Sequence, residues 1–160
     1  MSTLKVDSIL NTAGVDNRGK VIQFIHNANQ LARPVTTSGS FVDTGFYVKI
    51  TPKYASSKII VWAQFFSYSP NNYVVTEIRR DTTQIQTNPG GNVGFGYSGY
   101  QYWNNSFGGT QDEPNTTSEV TYRLYFYSNS GANAYIGNSG TVPTGTETQG
   151  IHLYAIEVAQ

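Results

Sequence analysis

Alternation of apolar and polar residues divides the chain into short strand-like runs. In Phe46 to Thr51 (FYVKIT), Phe46, Val48 and Ile50 share one face while Tyr47, Lys49 and Thr51 share the other. That period of two is what a strand with one buried side requires. Glu119 to Ser128 (EVTYRLYFYS) repeats the pattern with Val120, Tyr122, Leu124 and Phe126 on one face. Its second face, Thr121, Arg123, Tyr125 and Tyr127, is too aromatic for an ordinary solvent-facing surface. Lys58 to Tyr68 (KIIVWAQFFSY) is almost continuously apolar, which predicts a central strand. Lys20 to Asn27, Tyr73 to Arg80, Thr83 to Gln86, Ala132 to Ile136 and Gly150 to Val158 complete the set. The six prolines, at 34, 52, 70, 89, 114 and 143, all fall between these runs, where a missing N–H does least harm. No segment carries a helical period. Short strands at turn-marked intervals predict an all-β chain folded as an antiparallel β-sandwich of the jelly-roll kind.

Two stretches stand apart from that pattern. Residues 1–19 hold a small apolar cluster, Leu4, Val6, Ile9 and Leu10, followed by a turn-rich segment, and read as an extended N-terminal arm that needs a partner surface. Residues 88–118 set aromatic side chains among Gly, Asn and Ser and read as a long loop insertion. The expected organisation is an arm at 1–19 and one sandwich domain at 20–160.

Composition strengthens the β assignment and removes several functions. Val (13) and Ile (11) outnumber Leu (5), and 12 Tyr and 8 Phe favour a pleated, half-buried surface over helices. Ten Lys+Arg balance ten Asp+Glu, so the formal net charge is zero and the Lys/Arg excess that holds phosphate backbones is missing. Nucleic acid is not an expected partner. With no cysteine there is no disulfide framework, thiolate metal site or thiol nucleophile. No run approaches the roughly 18 apolar residues of a membrane span, and no export signal is expected at the N-terminus.

Several motifs suggest chemistry and lose it on inspection. Gly94 to Gly99 spells GxGxxG, but dinucleotide binding needs that motif between a strand and a helix, and YQYWNNSFGG cannot be such a helix. Asp43-Thr44-Gly45 is the tripeptide of aspartic proteases; it is equally an ordinary turn before a strand, and no second loop of the kind such an active site needs follows it. His26 and His152, the only histidines, sit on separate predicted strands without an acidic cluster, a weak basis for a metal. No catalytic group, cofactor or metal is expected.

What remains is surface. Tyr97, Tyr100, Tyr102, Trp103, Asn104 and Phe107 combine flat apolar rings with neutral hydrogen-bonding groups, which suits a glycan or a protein partner. Tyr125 and Tyr127, with His152 and Tyr154 on the last strand, read as residues covered by a neighbouring subunit.

The blocks MSTLKVDSILN, GKVIQ, SFVDTGFYVKITPKYASSKIIVW and the closing IEVAQ occur in that order. Together they resemble small structural proteins of tailed phages, of the cyanophage fibre and head-decoration kind, which begin with an STLKVD peptide. The resemblance covers somewhat under a third of the chain and leaves residues 85–118 unmatched. It implies a virion component on the particle exterior, a homotrimer contacting capsid or tail proteins through its N-terminal peptide, and a structural turn at Asp43-Thr44-Gly45. An arm of about 19 residues reaches at most roughly 60 Å, and no repeating shaft is present, which suits a cement protein or short fibre. The alternative expectation is a glycan-binding tip that recognises a host surface through the aromatic loop.

Overall fold

The computed structural model of the chain describes residues 19–29, 34–69, 73–85, 94–97, 104–128, 131–137 and 150–160. The expected arm with Leu4, Val6, Ile9 and Leu10 lies outside the described residues, apart from Gly19 at its end. The strands are β1 (Val21–Asn29), β2 (Val35–Thr36), β3 (Val42–Ile50), β4 (Lys58–Tyr68), β5 (Tyr73–Arg80), β6 (Thr83–Gln84), β7 (Gly94–Tyr97), β8 (Asn104–Asp112), β9 (Val120–Ser128), β10 (Ala134–Ile136) and β11 (Ile151–Val158). There is no helix among the described residues, and so none long and apolar enough to cross a membrane.

Two antiparallel sheets pack face to face. In the first, β1, β11, β4 and β8 lie side by side, while β10 and β2 continue beside the far end of β4. In the second, β3, β9 and β5 are followed by β7 and β6, which share the outer edge of β5. The first long strand pairs with the last (β1 with β11), and then, working inward, β3 pairs with β9, β4 with β8 and β5 with β7. This nested antiparallel pairing across two sheets is the jelly-roll winding the strand pattern predicted. The closure is reinforced where the chain begins β1: Gly19 N–H donates to the Ala159 carbonyl and Ala159 N–H to the Lys20 carbonyl, each at 2.9 Å.

Alternation decides which side chains fill the interior. Phe46, Val48 and Ile50 of β3, Val120, Tyr122, Leu124 and Phe126 of β9, and Ile59, Val61, Ala63 and Phe65 of β4 are all buried, joined by Ile151, Leu153 and Ala155 of β11. Each large apolar side chain removed from water here contributes about 1.5–3 kcal/mol, so this layer dominates the stability of the sandwich. β4 is central as expected, flanked by β11 on one side and β8 on the other.

Polar groups tie the two sheets together at one end. Arg80 Nη1, from β5, donates to Asp112 Oδ1 and Oδ2 of β8 at 3.0 and 2.8 Å. The Tyr122 hydroxyl of β9 donates to the same Oδ2 at 2.8 Å. Beneath the β3–β4 connection, the fully buried Glu157 carboxylate accepts from Gln23 Nε2 at 2.6 Å and from the backbone N–H of Lys53 and Tyr54 at 2.7 and 3.3 Å.

Two expectations are corrected. The loop insertion read at 88–118 is interrupted by β7 and β8, and β8 follows β4 from Ser67 to Ile59. NNSFGGTQD lacks apolar alternation, and among the described residues β8 pairs with β4 alone; its backbone ladder, which no side-chain period announces, defines the element. Asp43-Thr44-Gly45 lies inside β3 rather than ahead of a strand. It forms a bulge between the pairs Asp43–Tyr125 and Tyr47–Arg123, with Gly45 at φ 76°. Asp43 Oδ1 accepts from Gly45 N–H at 2.8 Å, and Thr44 Oγ1 donates to the Leu124 carbonyl at 2.8 Å. Every polar side chain of the tripeptide is occupied in shaping the bulge.

Candidate functional site

The outward positions of β1, β11 and β4 bring together residues far apart in sequence. Register places Phe24 beside Ile156 and Ile156 beside Ile60; the next row is His26, Tyr154 and Trp62, and the third is Ala28, His152 and Gln64. Across this lattice the rings stack on one another. His26 and Tyr154 have centroids 4.4 Å apart at 6° to parallel, and Tyr154 and Trp62 follow at 4.8 Å and 28°. Phe24 tilts against Tyr154 at 5.9 Å. Tyr154 therefore has both ring faces covered, by His26 on one side and Trp62 on the other.

At one side of this stack the two histidines meet. His26 Nε2 lies 3.1 Å from His152 Nδ1, and the ring planes are 7° from parallel with centroids 5.3 Å apart. So wide a centroid separation with so short an N···N contact means the imidazoles meet edge to edge in nearly one plane. One nitrogen donates and the other accepts, which requires at least one neutral ring. Burial, and then the neighbouring His26, hold the His152 imidazole below its ordinary pKa.

The face is open and almost uncharged. Phe24 keeps 53% of its surface exposed and Ile60 38%, high for large apolar side chains on a sheet. Among the outward described residues of β1, β11 and β4 the one formal charge is Lys58 at the end of β4, paired with Glu113 at 3.2 Å. An apolar sheet face with so little charge is a candidate contact surface.

The opposite outer face, on the second sheet, is differently made. Arg79 pairs with the buried Glu77 and lies over the rings of Tyr125 (4.3 Å) and Phe41 (5.6 Å); Tyr127 meets Phe41 edge to face at 4.8 Å. Arg123 covers Tyr47 at 5.0 Å and reaches Asp43 at 3.1 Å, while Lys49 pairs with Glu119 at 2.7 Å. Its rings and charges already answer one another.

The four residues expected at a subunit contact thus stand on opposite faces of the sandwich: Tyr125 and Tyr127 on the second sheet, His152 and Tyr154 on the first. The structure adds Phe24, His26, Ile60 and Trp62 to the latter pair. The signal for them was present, because outward alternation in KIIVWAQFF and VIQFIH assigns these positions to one face each, but only the pairing of first and last strands joins the two runs. Of the aromatic-loop residues, Tyr97 ends β7 in one sheet and Asn104 and Phe107 belong to β8 in the other, while Tyr100, Tyr102 and Trp103 lie outside the described residues. Gly94 to Tyr97 of the GxGxxG stretch is a strand paired with β5, while Ser98 and Gly99 lie outside the described residues. No group of three or more His, Asp or Glu side chains able to hold a metal occurs among the described residues. Set against known proteins, the sequence matches no family model and no curated protein.

Proposed function

We propose that this chain is a non-enzymatic structural module of a phage particle, a homotrimeric jelly roll of the cement or short-fibre kind, whose subunits meet through the outer face of the first sheet. The observation that carries the reading is that face: Phe24 and Ile60 are exposed and Trp62, Tyr154 and Ile156 half-buried beside them on one side of the sheet, with no described charge except Lys58 at its margin. Around a threefold axis identical residues of three copies converge, so a neutral face can approach the axis where a charged one would repel itself. The second sheet, with Lys49, Asp43, Arg79 and Arg123 outward, suits a solvent-facing exterior. Using both opposite faces at once would build an open stack rather than a closed ring, which favours one of them alone.

A sugar is the poorer occupant. Glycan stacking needs a free ring face, and Tyr154 at the centre of this face has both of its own covered, by His26 and Trp62. The order of sequence blocks shared with phage structural proteins supplies the virion setting, and the N-terminal segment is the part assigned to docking on capsid or tail. Immunogold labelling of intact particles tests this: label on the particle surface, lost when residues 1–18 are deleted, supports it. Absence of the protein from purified particles contradicts it.

A further inference from the structure

Resting on that trimeric reading, we propose that His26 and His152 form an acid-sensitive latch: neutral, they complete the contact face, and protonated, they release the subunits from one another.

The geometry sets how many protons the pair accepts. With both rings neutral, a single N–H lies between His26 Nε2 and His152 Nδ1 at 3.1 Å. A first added proton leaves one imidazolium donating to one imidazole, and the contact survives with a net positive charge. A second proton puts N–H against N–H, so the rings must part and the His26 stack on Tyr154 must break with them.

No described carboxylate stands ready to absorb that charge. On β1 the outward neighbours are Phe24 and Ala28; on β11 they are Tyr154 and Ile156; on β4 they are Trp62 and Gln64. Glu157 of β11 points inward and is held by Gln23, Lys53 and Tyr54. The second-sheet strand β3 approaches β1 through the bond from Asn27 Nδ2 to the Tyr47 carbonyl; its Asp43 and Lys49 are taken by Arg123 and Glu119. On β8, Asp112 is held by Arg80 and Tyr122, and residues 104–111 contain no ionisable side chain. The short strands β10 and β2 bring only Tyr135 as a titratable group.

Assembly makes the cost larger. Covering the face desolvates the pair, which disfavours its charged form, and the threefold axis brings three such pairs together. The assembled state therefore binds fewer protons than the free chain. Association is full above the pair's titration and is lost as the pH falls through it. If each chain must shed one proton to assemble, the trimer association constant changes by about a thousandfold per pH unit at its steepest, since the slope equals the number of protons released.

Sedimentation equilibrium of the full chain from pH 8 to pH 5 at fixed ionic strength reads this directly. The wild type is expected to be trimeric at pH 8 and to dissociate towards pH 5 with a slope near three protons, while the double variant His26→Gln, His152→Gln keeps one association constant throughout. A wild type trimeric at both ends overturns the latch alone. A wild type monomeric at pH 8 overturns the trimer and the latch with it. A double variant that dissociates in acid as the wild type does also overturns the latch. Should that variant not fold, the single variant His152→Gln decides: an association constant that no longer falls in acid is expected, and one that falls as the wild type's does contradicts the latch.

Discussion

Gly109 of β8 lies directly across the ladder from Trp62 of β4, and so closely that a Cβ at position 109 would stand 2.9 Å from Trp62 Cβ and 3.0 Å from the Val61 carbonyl oxygen. The missing side chain is what allows a strand of weak β propensity to seat against the central strand while Trp62 stands upright beside Tyr154. Gly109→Ala must push β8 outward or tilt the indole. It is expected to lower the unfolding free energy by about 1–3 kcal/mol, the usual range for overpacking. Urea unfolding followed by circular dichroism measures it; an unchanged or raised midpoint would show that β8 does not sit against Trp62 in this way.

The bridge between the sheets predicts an order of effects. Asp112→Ala leaves Arg80, three-quarters buried, without its partner and removes the acceptor of the Tyr122 hydroxyl, so a loss of about 2–4 kcal/mol is expected. Tyr122→Phe removes one hydrogen bond and keeps the ring, at about 1 kcal/mol. Burial first, and then the bond to Asp112, raise the Tyr122 pKa far above the ordinary phenol value of 10.0. The unfolded chain therefore releases this proton first, and stability present below pH 10 declines as the pH climbs beyond it. Tyr122→Phe should flatten that alkaline decline in a pH series of thermal melts.

Glu157 predicts the acid side. Its burial alone would raise the carboxyl pKa, but the hydrogen bonds from Gln23, Lys53 N–H and Tyr54 N–H outweigh it and hold the group below 4.5. Such a group contributes stability above pH 4.5 and loses it as the pH falls through the depressed value. Glu157→Gln is expected to destabilise the chain at pH 7 by about 1–3 kcal/mol and to weaken the pH dependence below 4.5. Equal acid sensitivity in variant and wild type would assign that dependence to other carboxylates.

The bulge at Asp43-Thr44-Gly45 gives a test that separates structure from chemistry. Gly45 holds φ 76°, so Gly45→Ala should cost about 1–2 kcal/mol. Asp43→Asn keeps an acceptor for Gly45 N–H and loses the charge opposite Arg123 at the surface, for which less than about 1 kcal/mol is expected. A peptidase assay on the wild type that turns over substrate and is silenced by Asp43→Asn would contradict the structural role.

Legibility in the sequence followed side-chain burial. β4, β9 and β11 could be read because one face of each meets the core, and Tyr125 and Tyr127 were correctly set opposite Leu124 and Phe126. β8 could not, since its strand character comes from backbone bonds to β4 and from a glycine whose use depends on Trp62. The bulge was read as a turn because both place a glycine two residues after an aspartate; only the partner strand distinguishes them. The histidine pair was invisible for a topological reason. His26 and His152 are 126 residues apart, and they meet because the jelly roll closes its first strand on its last.

The central claim is that the aromatic face of the first sheet joins copies of this chain, and the mass of the full chain in solution near neutral pH tests it most directly. Sedimentation equilibrium should return three times the 17.6 kDa of one chain, and Trp62→Glu, which puts a charge in the middle of the face, should return a folded species of 17.6 kDa. A wild type that stays at 17.6 kDa at every concentration, or a Trp62→Glu variant that remains fully trimeric, would contradict the account.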